Sequence, residues 1–280
     1  MNSLFPALFN NRKQRIFIRR FKVFFGAPMK GFFLTLSFLL LLNAKPASAQ
    51  DQAVSCGIAS GFPPYQFVLA GEPAGFDVDV ARTVCARLGL SVSFAQSEWE
   101  NVLNMLRFGK VDFIAGMEVN SFRSDYFDFT APYSKRHDAV FVPASSTFST
   151  VEDLFGRIIT GDRHSFVELE WMAQGIHKKI RIMQTKTKEE AMSLMVQGQS
   201  VAAIMPLEVG RHLAKEMGIK VRVLINPDPG SEVAFALRKD QPELKRKMNM
   251  ALEEIRASGE LDALTLKWFG KSECAGLKTP

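Results

Sequence analysis

Glu100-Asn101-Val102-Leu103-Asn104-Met105-Leu106-Arg107-Phe108-Gly109-Lys110-Val111-Asp112-Phe113-Ile114-Ala115-Gly116 is the stretch that decides the fold. Residues 100–108 read as an amphipathic helix, Gly109 as its stop, and residues 111–116 as an apolar strand buried on both faces. The unit recurs. Residues 189–197 form a second such helix, Gly198 ends it, and Val201-Ala202-Ala203-Ile204-Met205 follows, an offset of 89 residues. A glycine suits the position after a helix because it accepts the left-handed backbone that closes the last turn. Two helix-glycine-strand units that far apart predict two similar α/β lobes.

Working outward, residues 54–58 read as a short strand and Ser60-Gly61-Phe62-Pro63-Pro64 as the loop at its end. Residues 76–88 read as a helix: Asp77 and Asp79 complement the dipole at its start, Val80, Val84 and Leu88 share one face, and Gly89 stops it. Residues 92–95 read as a second strand. In open α/β sheets the ligand crevice lies outside the carboxyl ends of the strands. That rule selects residues 116–123 after the first repeated strand and residues 205–208 after the second. Val140-Phe141-Val142-Pro143 is expected to cross out of the first lobe and Val233-Ala234-Phe235-Ala236-Leu237 to cross back, with residues 241–269 as helices on the first lobe. The expected domains are residues 50–141 plus 229–280 for lobe 1 and residues 142–228 for lobe 2.

The first 49 residues hold eight of the 35 Lys and Arg and no Asp or Glu. Met29-Lys30 opens a basic start, residues 32–42 are apolar, and Ala47-Ser48-Ala49 is a small-x-small cleavage site, so residues 1–49 are expected to be a signal peptide removed near Ala49/Gln50. Residues 1–28 are either a long basic lead or lie upstream of a true start at Met29. The apolar run of about eleven residues falls short of the roughly 20 that span a bilayer. Export to the periplasm follows as an expectation. Without that segment, 27 basic residues face 29 acidic ones, a formal charge of −2, so the whole-chain pI of 9.2 misleads and nucleic-acid binding is not expected. Cys56, Cys85 and Cys274 match no metal or redox spacing; in an oxidising compartment one pair would be able to bridge, but buried thiols are the plainer reading. No Cys follows the cleavage site, so no lipid anchor is expected. No phosphate loop or nucleophile elbow is found, and His137, His164, His177 and His212 form no metal-ligand pair at helical spacing. No cofactor, metal or catalytic residue is expected.

Six segments in order resemble one family, the bacterial periplasmic amino-acid binding proteins of polar amino-acid ABC transporters (family 3 extracellular solute-binding proteins). They are Phe62-Pro63-Pro64-Tyr65, Gly75-Phe76-Asp77-Val78-Asp79-Val80-Ala81, Trp99-Glu100-Asn101-Val102-Leu103, Gly109-Lys110-Val111-Asp112, Asp128-Phe129-Thr130-Ala131-Pro132-Tyr133 and Lys267-Trp268-Phe269-Gly270. The resemblance implies an α/β fold of the periplasmic-binding-protein-like type II, two lobes joined by two crossover strands and closing on a ligand.

It also implies a site. Arg123 stands where the family clamps the ligand's α-carboxylate, a role suited to a planar guanidinium that meets a carboxylate with two charge-assisted hydrogen bonds. A surface Arg paired to Asp125 is the bland alternative. Phe62 and Trp99 match the aromatics that flank the ligand, and Gly116, Met117 and Glu118 fall on the strand end beside it. Three positions depart from the pattern. Glu118 replaces a Thr or Ser whose hydroxyl binds the carboxylate, and would repel that carboxylate or pair with Arg123. Pro206 replaces the Asp that holds the ammonium. His164-Ser165-Phe166 replaces a Gly-Ser/Thr-Thr segment, leaving Ser165 as the hydroxyl near a helix end. A buried ammonium without a partner is disfavoured by several kcal/mol, roughly.

The main expectation is therefore a solute receptor with altered specificity, taking a small carboxylate-bearing or amino-acid-like solute and working as a monomer with an inner-membrane ABC permease. A second reading is an accessory or sensory partner of another periplasmic protein that kept the fold and lost the site. A third is an enzyme resembling cyclohexadienyl dehydratases, with Glu208 or Glu118 as general acid.

Overall fold

The computed structural model describes residues 53–161, 166–224 and 230–270. The leader expected over residues 1–49, His164, Ser165 and Cys274 lie outside the described residues. In chain order the strands are β1 (Ala53–Ala59), β2 (Phe67–Leu69), β3 (Glu72–Ala74), β4 (Ser91–Ser97), β5 (Phe113–Glu118), β6 (Phe127–Phe129) and β7 (Ser134–Arg136). They continue as β8 (Asp138–Pro143), β9 (Ile158–Gly161), β10 (Arg181–Gln184), β11 (Ala202–Pro206), β12 (Val221–Val223) and β13 (Ser231–Arg238).

Eleven of these strands form two sheets built alike, and β2 and β3 pair as a separate hairpin. The first has the order β4-β1-β5-β13-β6, with β7 also on β13, and the second the order β10-β9-β11-β8-β12. In each, one central strand pairs in parallel with two neighbours: β1 with β4 and β5, β9 with β10 and β11. Each repeated strand then takes an antiparallel neighbour at the other edge, β13 beside β5 and β8 beside β11. The duplicated helix-glycine-strand unit thus occupies equivalent places in the two lobes. Both glycines have the left-handed backbone that the sequence required, with φ of 67° at Gly109 and 73° at Gly198.

The outward crossing falls earlier than the sequence suggested. Residues 138–143 pair only within the second sheet, whereas β7 pairs with β13 in the first, so the chain changes sheet at His137 rather than within Val140–Pro143. The apolar run was read as the connection because a buried strand and a buried crossing have the same composition. On the return crossing Gly230, with φ of 84°, lies so close to the His137 ring that an added Cβ would stand 2.6 Å from it.

Helices α1 (Phe76–Arg87) and α2 (Trp99–Arg107) cover opposite faces of the first sheet, and the short α3 (Ser121–Ser124) follows β5. The second lobe carries α4 (Phe166–Ala173), α5 (Lys188–Val196) and α6 (Leu207–Glu216), and α7 (Pro242–Ala257) and α8 (Glu260–Phe269) return to the first lobe. Among the described residues no helix is long and apolar enough to cross a membrane. Under α2 lie Val102, Leu106, Val111, Ile114, Met117, Phe127 and Ala236; under α1, α7 and α8 lie Ile58, Val80, Val84, Phe113, Phe235 and Leu252. Burying each such side chain contributes roughly 1.5–3 kcal/mol, which is what holds helices of modest intrinsic propensity in place. Distant motifs meet here: Phe269 packs on Phe76 at 5.1 Å and on Tyr65 at 5.3 Å, and the Trp268 indole donates to Asp79 at 2.9 Å.

Candidate functional site

The site begins at a bulge in β5. Along this strand Ile114 pairs with Ala236 and Met117 with Ala234, so Ala115 and Gly116 together face the single residue Phe235. Gly116 takes φ of 71°, a conformation suited to glycine at such a bulge. The extra residue reverses the alternation of side chains. Ile114 and Met117 both enter the cluster under α2, and Glu118 turns to the opposite face. The bulge also lets side chains close in, because a Cβ on Gly116 would stand 2.1 Å from both Asp77 Oδ2 and Gln66 Nε2.

Around that glycine lies a sealed polar network. Asp77, fully buried in the first turn of α1, accepts from Gln66 Nε2 at 2.7 Å, from the Tyr133 hydroxyl at 2.9 Å and from Arg136 Nη2 at 3.1 Å. The Tyr133 hydroxyl in turn accepts from the Gly116 amide at 2.7 Å, and Arg136 Nη1 donates to the Gly116 carbonyl at 3.1 Å. The Arg136 guanidinium also stacks over Tyr65 at 4.2 Å and Phe62 at 5.0 Å. Burial pulls the Arg136 pKa down, but the carboxylates of Asp77 and Glu118 outweigh it and hold the group cationic. Burial raises the Asp77 pKa while Arg136 opposes, and the Tyr133 phenol is pushed up by burial and by the Asp77 charge.

Next to this network stands Arg123. Asn120 caps α3 by accepting from the Arg123 amide at 2.8 Å, which fixes where the side chain leaves the backbone. Arg123 Nη1 donates to the Glu118 carbonyl oxygen at 2.8 Å, and the guanidinium lies over Trp99 at 5.5 Å. The Glu118 carboxylate sits 3.7 Å from Arg123 and 3.7 Å from Arg136, a rung between two guanidiniums. Burial lowers the Arg123 pKa and the neighbouring Arg136 adds to this, while the carboxylates of Glu118 and Asp138 work against it.

The second lobe meets the first around Phe62. The Lys188 ammonium lies 5.9 Å from the centre of the Phe62 ring, and His212 lies 6.4 Å from Phe67. Pro206 ends β11 opposite Asp138 of β8, so these two residues share one face of the second sheet. Glu208 bonds Arg211 at 2.9 Å. An outer cavity of about 660 Å³ opens between the β2–β3 hairpin and α5 and α6, lined among others by Phe67, Leu69, Glu189 and His212 but by neither arginine. Among the described residues no group of three or more His, Cys, Asp or Glu is placed to hold a metal.

Of the residues singled out by sequence, Arg123, Trp99, Glu118 and Phe62 are brought into one neighbourhood. Two others differ from expectation. The Met117 side chain is fully buried under α2, and both backbone groups of Gly116 are consumed by Tyr133 and Arg136. Ser165 and His164 lie outside the described residues, and for Phe166 only its place at the start of α4 is described. Arg136, Gln66, Tyr133 and the burial of Asp77 were not foreseen. The signal for Arg136 was the run Lys135-Arg136-His137-Asp138 set directly before an apolar strand.

This arrangement can be compared with known proteins. The chain is 26% identical over 242 residues to "ABC transporter arginine-binding protein 1" of Escherichia coli K12, covering 84% of this chain and 98% of that one. A solved ancestral arginine-binding protein bound to glutamine superposes with a TM-score of 0.72 at 27% identity, over 78% of this chain and 98% of that one. A histidine kinase sensor domain with similarity to periplasmic binding proteins gives 0.73 at 25% identity, over 79% and 97%. The model of the bacterial extracellular solute-binding proteins, family 3, matches residues 54–271, which is the whole two-lobed unit built above, and the chain belongs to that family.

Proposed function

We propose that this protein captures a small carboxylate-bearing or amino-acid-like solute between its lobes in the periplasm and presents it, as a monomer, to an inner-membrane ABC permease. The observation that carries the reading is Arg123. It is mostly covered, burial lowers its pKa, and among the described residues its Nε and Nη2 make no hydrogen bond while an aromatic face lies beside it. A carboxylate reaching Nε and Nη2 would form the paired charge-assisted bonds that such a guanidinium favours. Lobe closure follows from the same placement, since a solute held by the first lobe at Arg123 gains its second set of contacts only when the second lobe approaches. Binding without chemistry is supported by Glu208, whose carboxylate is tied to Arg211 instead of standing as an acid in the site. The relatives named for binding amino acids and serving ABC transporters support the same reading.

Thermal melting of the purified protein against a broad panel of amino acids and organic acids tests it. At least one member is expected to raise the melting temperature, and Arg123→Ala is expected to weaken that ligand by about 10- to 100-fold, the loss of one charge-assisted bidentate contact. A panel without any shift, joined to a stable complex with another periplasmic protein, would move the reading to an accessory role.

A further inference from the structure

Among the described residues, the first lobe turns several acceptors beside the cleft toward the protein's own donors. Asp77 receives Arg136, Gln66 and Tyr133, the Gly116 carbonyl receives Arg136, and the Glu118 carbonyl receives Arg123. The Glu118 carboxylate lies between both guanidiniums. Across the cleft, the end of β11 carries Pro206, which has no polar side-chain atom; Asp138 beside it is buried and already partnered, and Glu208 is bonded to Arg211. The donors are in the opposite condition. Among the described residues, Arg123 Nε and Nη2 make no hydrogen bond, and Arg136 Nε, sealed from water, has no partner either.

An α-amino acid brings an ammonium with three N–H donors, and each buried donor left unmatched is disfavoured. A carboxylate brings only acceptors. The geometry points to a solute whose acid group is its sole charge: an organic carboxylate without an α-ammonium, such as a 2-oxo or arylalkanoic acid, with a flat or apolar body against Phe62 and Trp99. Arg136 acts as the specificity-determining residue, because its guanidinium occupies the Gly116 carbonyl and one side of Glu118, the places where an ammonium would otherwise find acceptors. This inference rests on the capture reading and narrows it.

Calorimetric titration with matched pairs tests it: phenylpyruvate and phenylalanine, 2-oxoglutarate and glutamate, 4-methyl-2-oxopentanoate and leucine, with 3-phenylpropionate as the compound lacking both groups. In any pair that binds, the oxo or desamino acid is expected to bind about tenfold tighter or more than the amino acid, the effect of one stranded buried donor. An amino acid that binds as tightly as its partner, or more tightly, overturns this inference and leaves solute capture standing. Binding by no member of either series, with no shift in the broader panel, overturns both. In the double variant Asp77→Asn with Arg136→Gln, which keeps the buried pair neutral and frees acceptors, the preference is expected to narrow at least about threefold. An unchanged preference in that variant, once circular dichroism shows it folded, overturns the role given to Arg136.

Discussion

Arg136, the last residue of β7, and Asp77, in the first turn of α1, form an ion pair of 3.1 Å with side chains that are 4% and 0% exposed. The pair ties the residue before the outward crossing to the helix that follows the first loop. Removing one partner leaves the other charge buried and uncompensated, so Arg136→Ala is expected to destabilise the protein by about 3–5 kcal/mol. The double change Asp77→Leu with Arg136→Met is expected to recover a large part of that loss. Urea unfolding of both single variants and the double variant, read as a mutant cycle, checks this.

The bulge at Gly116 makes a second prediction. Gly116→Ala combines a left-handed φ of 71° with a Cβ 2.1 Å from Asp77 Oδ2 and Gln66 Nε2, neither of which has solvent to retreat into. A loss of roughly 2–4 kcal/mol is expected. Gly109→Ala, with the same backbone strain but no contact closer than 3.5 Å, is expected to lose only about 1 kcal/mol. Comparing their thermal midpoints separates packing from backbone strain.

Asn120 positions Arg123 through a single hydrogen bond to its backbone amide. Asn120→Ala is expected to loosen α3, costing about 1 kcal/mol locally and weakening solute binding several-fold, with little change in the cooperative unfolding of the cores. Titration calorimetry and chemical denaturation on the same preparation distinguish the two effects.

Cys56 and Cys85 are both free and buried, and burial pushes the Cys85 thiol from its ordinary 9.0 up to about 12. In the unfolded chain the thiol ionises near pH 9, while in the folded protein it keeps its proton until about pH 12. The folded state therefore holds more protons across that window, so this contribution is complete below pH 9 and is lost as pH rises towards 12. The Cys85 thiol alone is expected to contribute a slope of about 1.4 kcal/mol per pH unit, and Cys85→Ala is expected to remove that share. Stability measured by denaturant between pH 8 and about 11 gives the slope. Labelling of both thiols by a disulfide reagent is expected only as the protein unfolds.

Much of the scaffold is legible in the chain itself. The two helix-glycine-strand units could be found because helical spacing, a closing glycine and an apolar strand are local signals, and they land on α2–β5 and α5–β11. Local signals fail where a residue's environment arrives from elsewhere. Asp77 looks like a dipole-complementing acid at a helix start, and only the approach of β5, β7 and Gln66 makes it a buried hub. Met117 looks like a cleft residue because its neighbours are; the bulge that turns it under α2 depends on the register of β13, more than a hundred residues later. Arg123 was found by likeness to a family pattern. For its rival for Glu118, Arg136, the only local sign is a charged run before an apolar strand, and its pairing with Asp77 and Glu118 emerges only once β7 is placed.

The position of the outward crossing has a consequence for the order of events in recognition. Arg136 precedes the change of sheet at His137, and its side chain is anchored wholly on first-lobe partners. In the closure proposed above, a rotation about the connections would carry the second lobe away and leave Arg136, Arg123 and Glu118 together. The groups proposed to discriminate are thus preassembled on one body, and on that reading an encounter with the wrong solute would be rejected before the molecule commits to shutting.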